Sequence, residues 1–538
     1  MIYTSPFPER PVPEKTLYDI MFNTERKFIP KDDHPLYIDV KTGATTYYGE
    51  IQTMTLTIAA GLQKLGLKQG DVVATCSYNH VIKLIFFFFK KKKGGVFAAI
   101  DRATTVSSLI DDLDLVKAKF IVGHERTLEK VLEAAKAVKI PKENILVFGD
   151  NQIGDVQPLR RTLMCHGQLD EPSPCTKDEL KTRPIFLYYT SGTTGRKKAV
   201  TLTNASLASS LLQRDEWDLS KARNLTYTEL HHGSSLVVGI LMAIYNGVST
   251  YIMSDFDFEE YCHLIEKHQI THSAIQPWIA SRLGKDPIVD KYDLSSIQGL
   301  ISAGSTLDLS IVEAVEKRIG KILLNVYATT EVLGILVITP ALVKNGYTGV
   351  LAGGFSARII DGNGNDVKIG EVGEFLVKGP SRTPGYYNNP KATAAAIDEE
   401  GFYHTGDLVT ITEEGYISFY DREKDLIKYE LYHIQPGEIE SVLVSSPKVN
   451  DCAVIGVYKE ELCTEVPRAF VMLSNGFEKT DDVARELEQL VADNLPDYKH
   501  LRGGVTIMDS LPRTTTGKVI KPELRALAKR EEEAIVTA

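Results

Sequence analysis

The stretch from Asp71 to Gly149 decides the fold of this chain. Its short apolar runs are DVVATC (71–76), KAKFIVG (117–123) and NILVFG (144–149), and they alternate with the longer segments HVIKLIFFFFKK (80–91) and LEKVLEAAKAV (128–138). Short apolar runs that alternate with longer amphipathic segments predict strands and helices around a largely parallel sheet. A ligand of such a sheet is expected at the loops beyond the strand ends.

This alternation extends from about residue 35 to 320, and the pattern then changes. Beyond Gly349, the segment 355–380 has short strand-like runs separated by glycine turns, which predicts a small β-rich section. The charge cluster DREKDLIK (421–428) comes next. It is followed by a predicted helix, strand and second helix at 437–445, 451–458 and 481–495. We therefore place a domain boundary near the charge cluster.

The composition is that of a soluble protein with more than one domain. A chain of 538 residues is too long for one compact core, and its hydrophobic and charged fractions, 43% and 25%, are ordinary. A net charge of −10 argues against binding to a phosphate backbone, so no nucleic-acid partner is expected. The six cysteines include no CxxC pair, which favours a reducing compartment over a disulfide scaffold or a zinc site.

No targeting or membrane segment is visible in the sequence. The first 15 residues lack a basic region followed by an apolar one, and the end, IVTA (535–538), is not an SKL-type peroxisomal signal. The most apolar run, 81–89, is far shorter than the roughly 20 residues of a spanning helix. We interpret the four lysines at 90–93 as a solvated helix end in preference to a lipid or polyanion patch. A cytoplasmic monomer or homodimer is expected.

The sharpest motif is the segment YYTSGTTGRKK (188–198). Its two glycines let the backbone approach an anion, four hydroxyls supply donors and a basic cluster supplies charge, so the loop is suited to hold a triphosphate. It is not a Walker A loop, because only two residues separate its glycines and the strand-like run AVTLT (199–203) follows it. Taken alone, the segment is also compatible with a polar hairpin turn.

Three further segments follow this loop in order. NVYATTE (325–331) offers an aromatic face for a purine, hydroxyls for a phosphate and a carboxylate able to hold Mg²⁺. YHTGDL (403–408) places Asp407 in a turn, where a carboxylate could accept both hydroxyls of a ribose. LPRTTTGK (511–518) places Lys518 on a glycine-containing loop, where its ammonium could meet a phosphoryl transition state. Each segment alone is commonplace.

Together with Asp421-Arg422, the four segments resemble the adenylate-forming superfamily of acyl-CoA synthetases, luciferases and peptide-synthetase adenylation domains. The resemblance covers nearly the whole chain, and the 4-coumarate–CoA ligase group is most similar through TSGTTG (190–195), Tyr327 to Glu331 and DLIKY (425–429). It implies an α/β fold whose residues 1–421 form a large N-terminal domain of two α/β subdomains plus a β-rich subdomain. Residues 422–538 would form a small, mobile α+β C-terminal domain.

The resemblance also implies a reaction in two steps. A carboxylate attacks the α-phosphorus of ATP, with Lys518 stabilising charge at that centre, and the acyl-AMP then reacts with an acceptor. The C-terminal domain would rotate about Lys424, so that Lys428 replaces Lys518 in the second step. Glu331 would hold Mg²⁺. The nucleotide would be bound by Thr190, Ser191, Gly192, Thr193, Thr194, Gly195, Lys198, Tyr327, Ala328, Thr330, Asp407 and Arg422.

His231 falls where the superfamily keeps a histidine beside the substrate carboxylate, although the adjacent His232 leaves the register open by one residue. The acid pocket is expected to be lined by His231, Ser235, Trp278, Ser302, Ala303, Gly304, Ala328 and Leu333. Most of these positions are apolar or small. The segment 231–235 also lacks the aspartate that faces the substrate amine in amino-acid adenylation domains. An aromatic or medium-chain acid is therefore expected.

Several residues depart from the superfamily pattern. Lys197 and Ala199 replace a usual proline and glycine in the phosphate loop, and Ala328 replaces a glycine beside the adenine. Where relatives commonly have K-Y-K-G-Y-Q, residues 428–433 are KYELYH. Glu430 would place a negative charge near the phosphates of CoA, and Leu431 would add bulk along the pantetheine passage.

These departures leave two functions open. The leading hypothesis is an ATP-dependent carboxylate–CoA ligase that uses ATP, Mg²⁺ and CoA. The alternative is an adenylating enzyme that passes the acyl group to an amine, a hydroxyl or a carrier protein, because of Glu430 and Leu431. A nucleotide-binding protein without catalysis is disfavoured by the presence of Lys518, Glu331 and Asp407.

Overall fold

The computed structural model of the chain describes most of its 538 residues. The residues outside the description are 25–28, 80–94, 165–174, 191–196, 214–218, 220, 230, 234, 304–306, 423–424, 430–431, 460–461, 463, 515–516 and 538. The predicted helix at 80–91 and the four lysines at 90–93 lie outside the described residues. Among the residues that are described, a search for a helix with the length and apolarity to cross a bilayer finds none.

The predicted alternation of strands and helices is confirmed in two seven-stranded sheets. In the first sheet the strands lie in the order Lys198–Leu202, Phe186–Thr190, Val96–Ile100, Val72–Cys76, Ala118–Gly123, Ile145–Val147 and Gln157–Pro158. Neighbouring strands are parallel except the first two, which form an antiparallel hairpin around the phosphate-loop motif. The two strands of the centre, Val72–Cys76 and Val96–Ile100, are buried at every position, which explains their continuous apolar sequences.

The second sheet has the order Leu323–Val326, Gly299–Ala303, His272–Ile275, Arg223–Thr226, Ser249–Ile252, Pro35–Asp39 and Thr45–Tyr47. Its neighbouring strands are parallel except the last pair. The longer helices of this part are Tyr48–Lys64, Val106–Val116, Leu128–Ala137, Asn204–Leu212, Phe258–His268, Pro277–Lys285 and Leu309–Ile319. Shorter ones are Leu17–Phe22, Leu159–Met164, Lys177–Thr182, Ala243–Asn246, Pro340–Lys344 and Pro390–Ala396, with a π-helical segment at Ser235–Met242.

Side-chain caps fix where several of these helices begin. Thr105 accepts a hydrogen bond from the backbone N–H of Ser108, and Asp257 accepts one from Glu260. Each cap satisfies one of the backbone donors that a first helical turn leaves without an intrahelical partner. The helices therefore start just after the strands that precede them, so the connecting loops stay short at the sheet edge.

The β-rich section expected after Gly349 is confirmed as an antiparallel third sheet. Its strands lie in the order Tyr3–Thr4, Ser356–Ile360, Gly373–Lys378, Tyr403–Ile411 and Ile417–Arg422. A separate two-stranded ladder, Leu336–Val337 with Val350–Leu351, precedes it along the chain. The N-terminal strand Tyr3–Thr4 pairs with residues 356–357, so the chain start is held against the β-rich section.

Beyond Arg422 the remaining elements form separate, smaller sheets. They are the hairpin Ile427–Tyr429 with Tyr432–Ile434, the helix Pro436–Ser445, the strands Val449–Lys459, Thr464–Leu473 and Val505–Met508, and the helices Asp481–Asn494 and Lys521–Thr537. The helix, strand and second helix predicted after the charge cluster are thus confirmed.

The C-terminal elements pack on the helices beside the second sheet. One buried apolar cluster includes Leu283 and Val315 as well as Leu443 and Val454. Lys285 donates hydrogen bonds to the carbonyls of Val444, at 2.7 Å, and Val449, at 3.0 Å. Because a lysine that bonds two carbonyls is desolvated, burial lowers the pKa of Lys285.

Lys197, one of the departures in the phosphate loop, is tied to the body of the first sheet. Its Nζ lies 2.6 Å from Oδ2 of Asp112, a carboxylate only 3% exposed on the helix Val106–Val116. The hydroxyl of Tyr189 donates to the backbone carbonyl of the same aspartate. Burial raises the pKa of Asp112, and the contact with Lys197 opposes that rise. Lys197 thus compensates a buried charge next to the loop.

We predict that Lys197→Met destabilises the protein by about 1–3 kcal/mol, because it leaves the buried Asp112 carboxylate without its charged partner. The measurement is the shift of the urea unfolding transition. Lys142→Met is the control, since its pair with Asp155 is 4.0 Å long and 88% and 92% exposed, and such pairs contribute about 0–1 kcal/mol. Equal shifts in both variants would contradict the structural role given to Lys197.

Candidate active site

Four candidate segments follow adjacent parallel strands of the second sheet. The strands end at Val326, Ala303, Ile275 and Thr226, and their carboxyl ends lie along one edge. Loops at such an edge are held close together by the strand spacing, whatever their separation along the chain. The geometry therefore gathers 327–331, 276–278 and the described residues of 227–235 into one region, whereas 304–306 lie outside the described residues.

The predicted ribose ligand Asp407 is buried and contacts two polar side chains. The hydroxyl of Tyr327 donates to its Oδ2 at 2.6 Å, and Nε of Arg422 lies 3.3 Å from its Oδ1. Arg422 reaches this position because it stands opposite Asp407 in the antiparallel third sheet. Burial and the neighbouring carboxylate raise the pKa of Tyr327, so the phenol stays protonated and remains a donor. Tyr327, Asp407 and Arg422 form one cluster.

The predicted metal ligand Glu331 lies in a second cluster beside the phosphate-loop hairpin. It is buried, and the hydroxyl of Tyr386 donates to its Oε1 at 2.9 Å. Lys198, at the end of the loop, places its Nζ 4.8 Å from the centre of the Tyr386 ring. Burial raises the pKa of Glu331, while Tyr386, Tyr403 and Lys198 oppose the rise. A buried carboxylate of this kind is stabilised in its charged form by a cation, which suits an Mg²⁺ ligand.

The acid-pocket residues that the structure describes lie at the same sheet edge. Ser235 is buried, and its hydroxyl donates to Oγ1 of Thr228 at 2.7 Å. Gly233 lies against Leu333, since a Cβ built on it would be 3.6 Å from Cδ2 of that leucine. Trp278 stands in the first turn of the helix Pro277–Lys285, and Ser302 and Ala303 end their strand. Ser302 and Leu333 are buried, whereas Ala328 is exposed.

Lys518 reaches this edge from the C-terminal segment. Its charge is among the causes that lower the pKa of His232. The preceding Gly517 has φ +82° and packs so closely that a Cβ would lie 2.7 Å from Cγ of Gln276 and 3.3 Å from Nε1 of Trp278. The turn is closed by the backbone bond from Gly517 to Thr514. Lys518 therefore stands at the same edge as the histidines.

Lys428 stays apart from these clusters. It is exposed on the strand Ile427–Tyr429, where its N–H donates to Glu465 at 2.8 Å and its carbonyl accepts from Thr464. Thr190 is half-buried at the end of the strand Phe186–Thr190. Thr330 is half-buried two residues after Ala328. Among the candidate positions, Ser191, Gly192, Thr193, Thr194, Gly195, Gly304, Lys424, Glu430 and Leu431 lie outside the described residues.

Sequence reasoning missed three charged residues around His231, namely Asp101, Arg102 and Glu229. The signal was present for two of them, because Asp101 and Arg102 directly follow the strand Val96–Ile100 at its carboxyl end. It also missed Tyr386, which lies in a loop without a motif.

Comparisons with known proteins give two matching family models and full-length relatives. The model of the AMP-binding enzyme matches residues 27–387, and that of the AMP-binding enzyme C-terminal domain matches residues 438–518. The probable 4-coumarate–CoA ligase 2 of Dictyostelium discoideum is 29% identical over 541 residues, which cover 97% of each chain. The phenylacetyl-CoA ligase epaB of Aspergillus niger is 29% identical and covers 97% of this chain and 98% of its own.

A solved structure with the same fold is the ATP-bound MatB of Rhodopseudomonas palustris. It superposes with a TM-score of 0.81 at 26% identity and covers 96% of this chain and 99% of its own.

We predict that His232 makes the protein sensitive to acid. Desolvation, Lys518 and His231 lower its pKa from 6.5 to about 3. Between these two pH values the unfolded state therefore binds a proton at this residue and the folded state does not. Above pH 6.5 the imidazole is neutral in both states, so it does not lower the free energy of unfolding. As the pH falls from about 6.5 towards 3, only the unfolded state binds the proton, and the free energy of unfolding decreases. His232→Gln should therefore flatten the fall of the unfolding free energy between about pH 7 and 4 in urea titrations.

The control is His263→Gln, which removes an exposed imidazole from the helix Phe258–His268. An acid sensitivity of His232→Gln equal to that of the wild type and of this control would contradict the prediction.

Proposed function

The chain belongs to the AMP-binding enzyme family as an adenylate-forming ligase of the acyl-CoA synthetase type, and from this premise we propose that it converts an aromatic or medium-chain acid to its CoA thioester. The observation that carries the proposal is the position of Lys518. Gly517, which directly precedes this lysine, packs on Gln276 and Trp278 at the sheet edge that also presents His231. The Asp407 and Glu331 clusters flank the same edge.

We infer that Asp407 accepts the hydroxyls of the ATP ribose. Its Oδ2 already accepts from Tyr327, and Arg422 holds its other oxygen, so the carboxyl group is fixed in place before the nucleotide arrives. The Tyr327 ring lies beside this carboxylate and is suited to lie against the adenine. Ala328 and Thr330 follow on the same segment.

The triphosphate would lie between the phosphate loop and Glu331. Of the two described lysines of that loop, Lys197 is paired with Asp112, whereas Lys198 contacts the Tyr386 ring next to Glu331. The loop residues from Thr190 to Gly195 would add their hydroxyls and backbone N–H groups. Glu331 would hold Mg²⁺, which supplies positive charge to the phosphate oxygens when bound.

The first step joins the acid to the nucleotide. A carboxylate oxygen forms a bond to the α-phosphorus, the bond from that phosphorus to its bridging oxygen breaks, and pyrophosphate leaves with the electron pair. The ammonium of Lys518 would stabilise the negative charge that builds on the phosphoryl oxygens. His231 would lie beside the acid carboxylate. His232 stays neutral at physiological pH, because its pKa is about 3.

The class of acid follows from the pocket and from the relatives. Trp278, Ala303 and Leu333 offer an apolar surface, and Ser302 and Ser235 are small. The relatives named above are 4-coumarate–CoA and phenylacetyl-CoA ligases, and both names state an aromatic acid. An aromatic acid is accordingly favoured over a charged amino acid.

The second step would use the two domains predicted from the sequence, 1–421 and 422–538. The strand Ile417–Arg422 belongs to the third sheet, whereas Ile427–Tyr429 belongs to another, so the connection between them is suited to act as a hinge at Lys424. Rotation there would bring the exposed Lys428 to the site in place of Lys518. Transfer to an amine, a hydroxyl or a carrier protein is the second candidate, because Glu430 and Leu431 differ from the usual residues of the CoA passage.

We expect Lys518→Ala to lower acid-dependent pyrophosphate release by about 100-fold or more, because the transition-state charge loses its nearest cation. The measurement is a coupled pyrophosphate assay over a panel of aromatic and medium-chain acids. Lys479→Ala is the control, since this lysine contacts Asp509 elsewhere in the C-terminal segment. Full release by Lys518→Ala would overturn the role of the lysine, and no release by the wild type with any acid would overturn the proposed function.

Leu431→Gly tests the acceptor. If CoA is the acceptor and the leucine narrows its passage, the variant should raise the yield of thioester while leaving acyl-AMP formation unchanged. Mass spectrometry of the products with and without CoA measures both quantities. Accumulation of acyl-AMP in both proteins, with no thioester, would favour the non-CoA acceptor.

A further inference from the structure

Three charged side chains with no part in the mechanism above surround His231. Asp101 and Arg102 follow the strand Val96–Ile100 of the first sheet, and Glu229 follows the strand Arg223–Thr226 of the second. The carboxyl edges of the two sheets thus meet at this histidine. Glu229 stands two residues before His231 in the sequence, whereas the fold brings Asp101 and Arg102 into this cluster.

Glu229 is the central member of this cluster. It is only 5% exposed and accepts a hydrogen bond from Nε of Arg102. Its Oε2 lies 3.4 Å from Nδ1 of His231, an ion-pair distance at which the two atoms do not have hydrogen-bond geometry. The other ring nitrogen, Nε2, is 3.9 Å from Oδ2 of Asp101, beyond hydrogen-bond distance. The two nitrogens of the ring therefore face unequal surroundings.

Arg102 is itself held in place. Its guanidinium lies 4.0 Å from the centre of the Tyr78 ring, and the guanidinium of Arg126 lies 3.9 Å from the same ring centre. Lys130 donates hydrogen bonds to the backbone carbonyls of Arg102 and Thr104. Because Arg102 is fixed by these contacts, it fixes the carboxylate of Glu229 in turn.

We propose that Glu229 is a positioning residue, which accepts the Nδ1 proton of His231 and so presents Nε2 to the carboxylate of the acid substrate. The inference rests on the proposed function, because it assigns His231 to the acid. Glu229 touches neither substrate nor nucleotide and acts only through the histidine ring.

The charge state of the cluster supports this role. Burial alone would raise the pKa of Glu229, but His231 and Arg102 outweigh it and lower the pKa below its ordinary value. The carboxylate is therefore ionised at neutral pH and can only accept hydrogen bonds. An ionised acceptor at one ring nitrogen selects the tautomer that carries its proton there.

Two other uses of the cluster fit less well. The ligand atoms of Asp101, Glu229 and His231 lie within 4.8 Å of one another, as a metal site requires, but the guanidinium of Arg102 on Glu229 would repel a cation. A buried glutamate could also recognise a substrate amine, yet its charge is already neutralised by Arg102. Positioning uses both contacts of Glu229, to Arg102 and to His231.

The test is a double-mutant cycle on pyrophosphate release, with Glu229→Gln, His231→Asn and the double variant. Glu229→Gln should lower kcat by about tenfold or more, with the KM for ATP little changed. In the His231→Asn background the same substitution should cause no further loss, because its route of action is gone. Equal losses in both backgrounds would overturn the proposal, since a merely structural glutamate acts without His231.

Glu229→Gln leaves Arg102 without its partner and can impair folding. The paired variant Arg102→Gln/Glu229→Gln removes both charges, and the same loss of kcat with a native melting temperature is expected from it. Asp497→Asn is the matched control, because this exposed aspartate also contacts a histidine, His500 at 3.5 Å, and an arginine, Arg502 at 2.6 Å. It should leave kcat unchanged.

A measurement independent of turnover separates this inference from the proposed function. The ¹⁵N shifts of the His231 ring should show a protonated Nδ1 in the wild type and a loss of that preference in Glu229→Gln. Protonation at Nε2 alone in the wild type would overturn the proposal. If the wild type releases no pyrophosphate with any acid, the proposed function fails, and these shifts still decide whether Glu229 orients His231.

Discussion

The parallel pairing of four strands in the second sheet is the constraint on which the candidate site depends. Backbone hydrogen bonding sets the spacing of Arg223–Thr226, His272–Ile275, Gly299–Ala303 and Leu323–Val326, and each strand delivers its next residues to the same edge. Residues from different parts of the chain are thereby delivered to one edge, and Tyr227 is hydrogen-bonded to Gln276 there. Loop chemistry can vary at this edge while the spacing stays fixed, since the loops do not hold the strands together.

Much of this arrangement can be predicted from the sequence, and the reasons are physical. The strand Val72–Cys76 is recognisable because both its faces are buried, which demands a continuous apolar run. The hairpin around the phosphate loop is recognisable because a strand-like run follows the glycines where a P-loop would have a helix. The sequence predicts roles for Asp407 and Lys518 because each stands in a short motif with turn residues.

What the sequence does not reveal are contacts set by register and by long-range packing. Arg422 meets Asp407 because the strands pair at that position, and pairing register is not visible in either strand alone. Lys197 meets Asp112 across 85 residues, and Arg102 meets Glu229 across 127. These pairs involve ordinary charged residues outside any motif. The segment 231–235 lacks an aspartate that could face a substrate amine, but the carboxylate of Glu229 does lie beside His231. This carboxylate is already paired with Arg102.

Gly517 lets the C-terminal turn pack closely against Gln276 and Trp278, because it has no side chain. Its backbone lies directly on Gln276 and Trp278, and its φ of +82° belongs to a region that other residues adopt only with strain. The described part of the C-terminal turn thus meets the second sheet through a close backbone contact, one residue before Lys518. A larger residue at position 517 would push the turn away from Gln276 and Trp278. The distance of the Lys518 ammonium from the sheet edge therefore depends on the glycine that precedes it.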